Sequence, residues 1–249
     1  MIHIQSTDNP LVKHLSKLRT DATARRKENK IVLSGRTLIT EVAQKIPLQV
    51  LITEEPHSQL TAAETFTASP SVLKKISGVE NPDGYIAVVG LPPEADLTPC
   101  RSLLALDGVS DPGNFGTLLR SALAFGWDGV FLLPNTCDPY NDKALRSARG
   151  AQFHLRLRKG TWQQLKELSL TNRLTPIAAD LYGKDIRTFT PLDHPLLILG
   201  NEGQGIDATA ASWCEKVTIP MLPQSESLNV SIAGSILMFL LNPSLSPHG

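Results

Sequence analysis

The chain has 249 residues, 41% of them hydrophobic, and a formal net charge of zero, enough for a sizeable core in one or two domains and a balance that neither demands nor excludes nucleic acid. No apolar run is long enough to span a bilayer, and the opening MIHIQSTDNPLVKHLSKL lacks a compact apolar block before a small-residue cleavage site, so neither a membrane partner nor a signal peptide is expected. Three cysteines, Cys100, Cys137 and Cys214, are far apart and odd in number, which fits neither a zinc site nor a disulfide framework and points to a reducing cytoplasm or an equivalent compartment.

Residues 1 to about 90 read as a small α/β unit. A helix is predicted over 10–18, with Leu11, Leu15 and Leu18 at helical spacing, Asn9 as its cap and Pro10 in the first position. Between residues 13 and 30 lie Lys13, Lys17, Arg19, Arg25, Arg26, Lys27 and Lys30, against only Asp21 and Glu28. Such a run is either a solvated helix face or a patch that follows a phosphate backbone. Strands are predicted at 31–33, 48–53 and 85–89, and a helix at 36–44 with Leu38, Ile39 and Val42 on one side. GLPPEADLTP, residues 90–99, holds three prolines and a glycine and reads as a linker. It separates domains at 1–92 and 97–249.

Beyond the linker, strand patterns at 103–106, 129–133, 175–179, 196–199 and 217–219 alternate with helical patterns at 117–125, 142–150, 162–169 and 208–214. Apolar strands alternating with helices predict an α/β fold with a mostly parallel sheet covered on both faces. Ligands of such sheets bind at the carboxyl ends of the strands. Three segments of interest sit there.

The first is DPGNFGTLLRSA, residues 111–122. Asn114 is a candidate helix N-cap, and Gly113 and Gly116 permit close approach of a backbone or ligand. Leu118, Leu119, Ala122 and Phe125 form the apolar stripe, and Arg120 points away from it. A cation early in a helix sits at the wrong end of the macrodipole, by about 0.3–1 kcal/mol, which suggests an anionic partner rather than mere solvation. The second is LLILGNEGQGI, residues 196–206. Its Gly-x-x-Gly-x-Gly order is neither the dinucleotide fingerprint nor a phosphate loop, and Glu202 can pair with an arginine or hold a hydroxyl. The third is VTIPMLPQSESLNVSIAGSILMFLL, residues 217–241, where Ser227 or Asn229 opens an apolar helix. Ser231, Ala233, Gly234 and Ser235 make its early part small, the mark of a close helix contact.

Together these segments, in this order and near these separations, resemble the SpoU (TrmH-like) family of RNA ribose 2′-O-methyltransferases, in the SPOUT class. DPGNFGTLLRSALAFGWDGVFL is similar to its first motif, LGNEGQGI to its second and IPMLPQSESLNVSIAGSI to its third. NPLVKHLSKLRTDATARRKENKIVLSGRTLITEV and SGVENPDGYIAVV resemble its N-terminal substrate-binding domain. Two positions depart from the family: Ser34-Gly35 stands where Glu-Gly is frequent, and Arg149 where a small or apolar residue is commoner.

The resemblance implies a C-terminal half tied in a trefoil knot, a homodimer, and S-adenosylmethionine bound by Gly200, Ile219, Met221 and Leu228. It maps the catalytic positions onto Asn114, Arg120, Glu202, Ser227 and Asn229, with no metal. Arg120 would stabilise the alkoxide, Glu202 would orient Arg120 or its loop, and the other three would fix the hydroxyl and the cofactor's polar groups. Ribosomal RNA is the preferred substrate and transfer RNA the alternative. The rival readings are a catalytically inactive RNA-binding member of the fold, a base methyltransferase, and a dinucleotide-dependent oxidoreductase, against which the glycine order speaks.

Overall fold

Local caps set where many of the elements begin. In the computed structural model, which describes residues 2–56, 59–190, 192–201, 203, 205–207 and 210–242, the Asn9 side chain accepts from the Leu11 N–H at 2.9 Å and Pro10 opens α1 (Pro10–Thr20) as predicted. The chain folds as two compact units, Met1–Pro93 with Tyr140–Leu145, and Glu94–Pro139 with Arg146–Gly249.

The first unit holds β1 (Ile2–Ile4), α1, α2 (Ala22–Glu28), β2 (Lys30–Ser34), α3 (Arg36–Ala43), β3 (Leu48–Thr53), β4 (Ala62–Ala68), α4 (Pro70–Ser77) and β5 (Tyr85–Gly90). Its sheet runs β1-β4-β3-β5-β2, parallel except where β5 meets β3 and β2. Val12, Leu15 and Leu18 of α1 pack with Val72, Leu73 and Ile76 of α4 in one core cluster. The sequence reading missed β1, α2, β4 and α4. Helix α2, ATARRKE, has no apolar stripe; what it buries is Ala24 and Arg25.

The second unit is built on six strands: β6 (Leu103–Leu106), β7 (Gly129–Leu132), β8 (Arg156–Lys159), β9 (Thr175–Asp185), β10 (Pro195–Leu199) and β11 (Glu215–Thr218). Their order is β11-β9-β10-β6-β7-β8, and every pairing is parallel. The expected parallel sheet is therefore present, with one strand more than the apolar runs suggested. Strand β8, RLRK, buries only Leu157 and lies at the sheet edge, where no apolar run is needed.

Helices α5 (Pro112–Ala124), α6 (Asp142–Ala148, whose first residues belong to the first unit), α7 (Trp162–Asn172) and α8 (Val230–Leu241) accompany these strands. The helix expected at 208–214 is a 3-10 turn at Ala210–Trp213, with residues 208 and 209 outside the described residues. Leu165 and Leu168 of α7 pack with Leu103, Phe131, Leu196 and Ile198 of the sheet. The small residues of α8 do what small residues at a helix contact do. A Cβ on Gly234 would come within 2.4 Å of Leu199 Cδ1 and 2.5 Å of Leu118 Cδ2. The hydroxyls of Ser121 and Ser235 share a hydrogen bond of 2.7 Å between α5 and α8.

Candidate active site

The carboxyl ends of β9, β10 and β11 and the start of α8 enclose a cavity of about 680 Å³, within the span usual for small-molecule sites. The turn after β10 is held by paired backbone bonds, Asn201 N–H to Gly205 O at 3.1 Å and Gly205 N–H to Asn201 O at 2.8 Å. A Cβ on Gly200 would lie 2.4 Å from the Gly205 carbonyl carbon, so only glycine fits where the chain folds back on itself. The Asn201 side chain donates to Gly108 O at 2.9 Å, which ties the turn after β10 to the loop after β6.

Gly200, Ile219, Met221 and Leu228 all line this cavity, as do Ser227 and Asn229. Asn229 caps α8: its Oδ1 accepts from the Ser231 N–H at 2.9 Å and the Ser231 hydroxyl at 2.6 Å. Its Nδ2 donates to Asn114 Oδ1 at 3.0 Å. The first and third sequence segments thus meet through two amide side chains.

Asn114 is not the cap it was expected to be. Asp111 caps α5, its Oδ1 accepting from the Asn114 N–H at 2.8 Å, and the helix already begins at Pro112. Asn114 lies inside the first turn, where its side chain is available to reach Asn229. The same shift corrects the reading of Arg120. It lies more than two turns into α5, beyond the reach of the N-terminal dipole, so its position carries no dipole penalty. Arg120 is exposed, as its place off the apolar stripe predicted, and among the described residues none forms a hydrogen bond or ion pair with it. It is not among the residues lining the cavity. Glu202 lies outside the described residues.

Leu181 and Tyr182 also line the cavity, as does Asp180. The sequence reading missed all three because it ended the strand at residue 179, whereas β9 continues to Asp185. The Lys216 ammonium, 2.7 Å away, and the Tyr182 N–H hold the Asp180 carboxyl below its ordinary range. Burial pushes the Cys100 and Cys214 thiols up to about 11, which leaves them protonated and unfit as nucleophiles near neutral pH. Burial also raises Asp107, whose Oδ2 accepts from the Asp207 N–H at 3.3 Å.

Residues 101–239 match the SpoU rRNA Methylase family. The chain belongs to that family. A SpoU methylase is an RNA methyltransferase, and residues 9–87 match the MRM3-like substrate binding domain. The Bacillus subtilis 23S rRNA (guanosine(2553)-2′-O)-methyltransferase RlmP is 32% identical over 253 residues, covering 97% of this chain and 99% of that protein. The AdoMet-bound rRNA methyltransferase from Sinorhizobium meliloti shares the fold at a TM-score of 0.87 and 23% identity, over 98% of both chains. A crystallised RNA 2′-O ribose methyltransferase superposes at a TM-score of 0.84 and 27% identity, over 96% of this chain and 98% of that one. These matches to a SpoU methylase agree with the motif order at residues 111–122, 196–206 and 217–241.

Proposed function

We propose that this chain transfers a methyl group from S-adenosylmethionine to the 2′-hydroxyl of a ribose in ribosomal RNA. The observation that carries the reading is the cavity at the ends of β9, β10 and β11, where Asn229 lines the wall and binds Asn114. Its lining fits the donor. Apolar Ile219, Met221 and Leu228 offer a slot for the adenine, and Gly200 admits a ligand at the backbone.

When bound, S-adenosylmethionine supplies an electrophilic methyl group on a sulfonium. The chain's own residues have to bring a ribose hydroxyl to it and stabilise the oxygen as its proton leaves. Asn114, Asn229 and Ser227 orient the hydroxyl and the donor's polar groups. Arg120 stabilises the developing alkoxide and an adjacent RNA phosphate. It is no base, since a guanidinium keeps its proton to above pH about 12. The substrate phosphate takes the proton, and Glu202 orients Arg120 or its loop.

The N-terminal domain, residues 1–92, selects the RNA, and residues 97–249 form the knotted catalytic domain. Exposed Lys17, Arg26 and Lys27 supply phosphate contacts. The enzyme acts as a homodimer. Ile232, Ile236, Phe239 and Leu240 form an exposed apolar stripe along α8. A stripe of this kind marks a protein contact, and a second copy is the self-complementary partner. The setting is the cytoplasm, in keeping with three free thiols. No helix is long and apolar enough to cross a membrane among the described residues.

Mapping ribose methylation across total RNA with and without the gene tests this reading. One ribosomal 2′-O-methyl group is expected to vanish without it. Loss of a transfer RNA mark, or of a base methyl group, overturns the assignment.

A further inference from the structure

The cavity has a rim that none of the catalytic positions accounts for. Tyr182 lines the cavity and is nevertheless 93% exposed, more than any other large hydrophobic side chain among the described residues. Among the described residues no aromatic ring or cation is paired with its ring, and leaving so large an apolar face in water is unfavourable.

The backbone under that ring is pinned. The Tyr182 N–H donates to Asp180 Oδ1 at 2.8 Å, and Asp180 pairs with Lys216 at 2.7 Å. The next residue, Gly183, lies against β11 so closely that a Cβ there would be 2.5 Å from the Val217 nitrogen. Lys184 pairs with Glu215 across the same two strands. These charges neutralise one another, so the rim has little left with which to hold a phosphate. What it presents is an aromatic face on a rigid strand end.

An RNA ribose that receives the methyl group has to come to the mouth of this cavity. Its base, or the neighbouring one, then lies within a nucleotide's length of the rim. The geometry points to Tyr182 as a stacking platform for a nucleobase of the RNA substrate, holding the target nucleotide over the cavity. Stacking suits the residue, since every base has a π-face and a ring on a pinned strand loses little freedom on binding. The inference rests on the ribose methyltransferase reading above.

The test compares the wild-type protein with Tyr182→Ala, Tyr182→Leu, Tyr182→Phe and Tyr182→Trp. Unmethylated ribosomal RNA, extracted from cells lacking the gene, is the substrate for single-turnover transfer and for equilibrium binding over a range of salt. S-adenosylmethionine affinity, melting temperature and molecular mass are measured alongside. Tyr182→Ala and Tyr182→Leu are expected to weaken RNA binding about tenfold or more, the size of one base–aromatic stack. The slope of affinity against salt should stay unchanged, because no phosphate contact is lost. Phe and Trp should keep near-wild-type binding, and all variants should keep S-adenosylmethionine affinity, melting temperature and mass. Unchanged RNA binding by Tyr182→Ala overturns the inference. So does an equal fall in S-adenosylmethionine affinity, which makes the residue a cover for the donor, or a fall in mass, which makes it a contact between two copies. If the wild-type protein methylates no ribosomal RNA, the functional reading fails by itself, and the binding comparison still decides the stacking.

Discussion

Arg120 and Asn229 carry different kinds of work. Arg120 is exposed and forms no hydrogen bond or ion pair with any described residue, and the proposed function gives it a role in the reaction. Arg120→Ala is expected to keep folding stability within about 0.5 kcal/mol and to leave S-adenosylmethionine binding intact, while transfer falls by about a hundredfold. Arg120→Lys should restore it only in part, because a point charge lacks the planar fork that holds a phosphate and a hydroxyl together. Single-turnover transfer with donor titration and thermal melting reads all three effects, and a collapse in melting temperature would make Arg120 structural. Asn229 both caps α8 and reaches Asn114. Asn229→Asp keeps the cap, since aspartate serves as well as asparagine there, but loses the Nδ2 donor. Melting should barely move, and transfer should drop roughly tenfold or more through misplacement of the reacting groups. Asn229→Ala removes the cap as well and should cost about 1 kcal/mol of stability. Full activity in Asn229→Asp would leave Asn229 a cap and nothing more.

Among the elements, α2 shows that a basic run is not one thing. Arg25 is only 2% exposed and its guanidinium donates to Leu18 O at 2.8 Å and Arg19 O at 2.7 Å, closing the chain between α1 and α2. Arg19 is paired with Asp142 at 3.0 Å, and Lys13 with Asp8 at 2.9 Å. Arg26 and Lys27 remain exposed. Arg25→Ala is therefore expected to destabilise the first unit by about 1–3 kcal/mol, the cost of stranding buried carbonyls. Replacing Arg26 and Lys27 together should leave melting unchanged and flatten the salt dependence of RNA binding. Urea unfolding and filter binding over a salt series separate the two, and an unaltered salt slope would make Arg26 and Lys27 a solvated face. The spacing of charges in the sequence could not tell Arg25 from Arg26, because α2 has no apolar stripe to orient it. The edge strand β8 was illegible for the same reason, with charged residues at three of its four positions.

At the scale of the whole molecule, each unit has its own sheet and its own core cluster. A fragment of residues 97–249 is expected to bind S-adenosylmethionine with wild-type affinity and to lose most RNA affinity, read by calorimetry and filter binding. Wild-type RNA binding by that fragment would remove the first unit from substrate selection. Phe239→Asp, on the exposed stripe of α8, is expected to halve the molecular mass in light scattering. An unchanged mass would place any dimer contact elsewhere.

The sequence by itself determined what is local. Asn9 is read as a cap from the residues that follow it and caps its helix, whereas Ser227 and Asn229 both offered a start for α8 and the structure takes Asn229. The alternation of apolar runs and helical patterns announces a parallel sheet, and the turns after its strands mark the end at which the cavity lies. Hydrophobic periodicity records which side of an element is buried, and that is enough for these conclusions. Only the tertiary structure moved the cap of α5 from the expected Asn114 to Asp111, since both residue types serve and three residues separate them. It also decided that Asn114 meets Asn229 across 115 residues of chain, that Arg25 turns inward while Arg26 faces water, and that β9 runs on to bring Tyr182 to the cavity. Each of these depends on the strand order β11-β9-β10-β6-β7-β8 or on packing against distant elements. A periodic pattern within one segment carries no record of which segment becomes its neighbour.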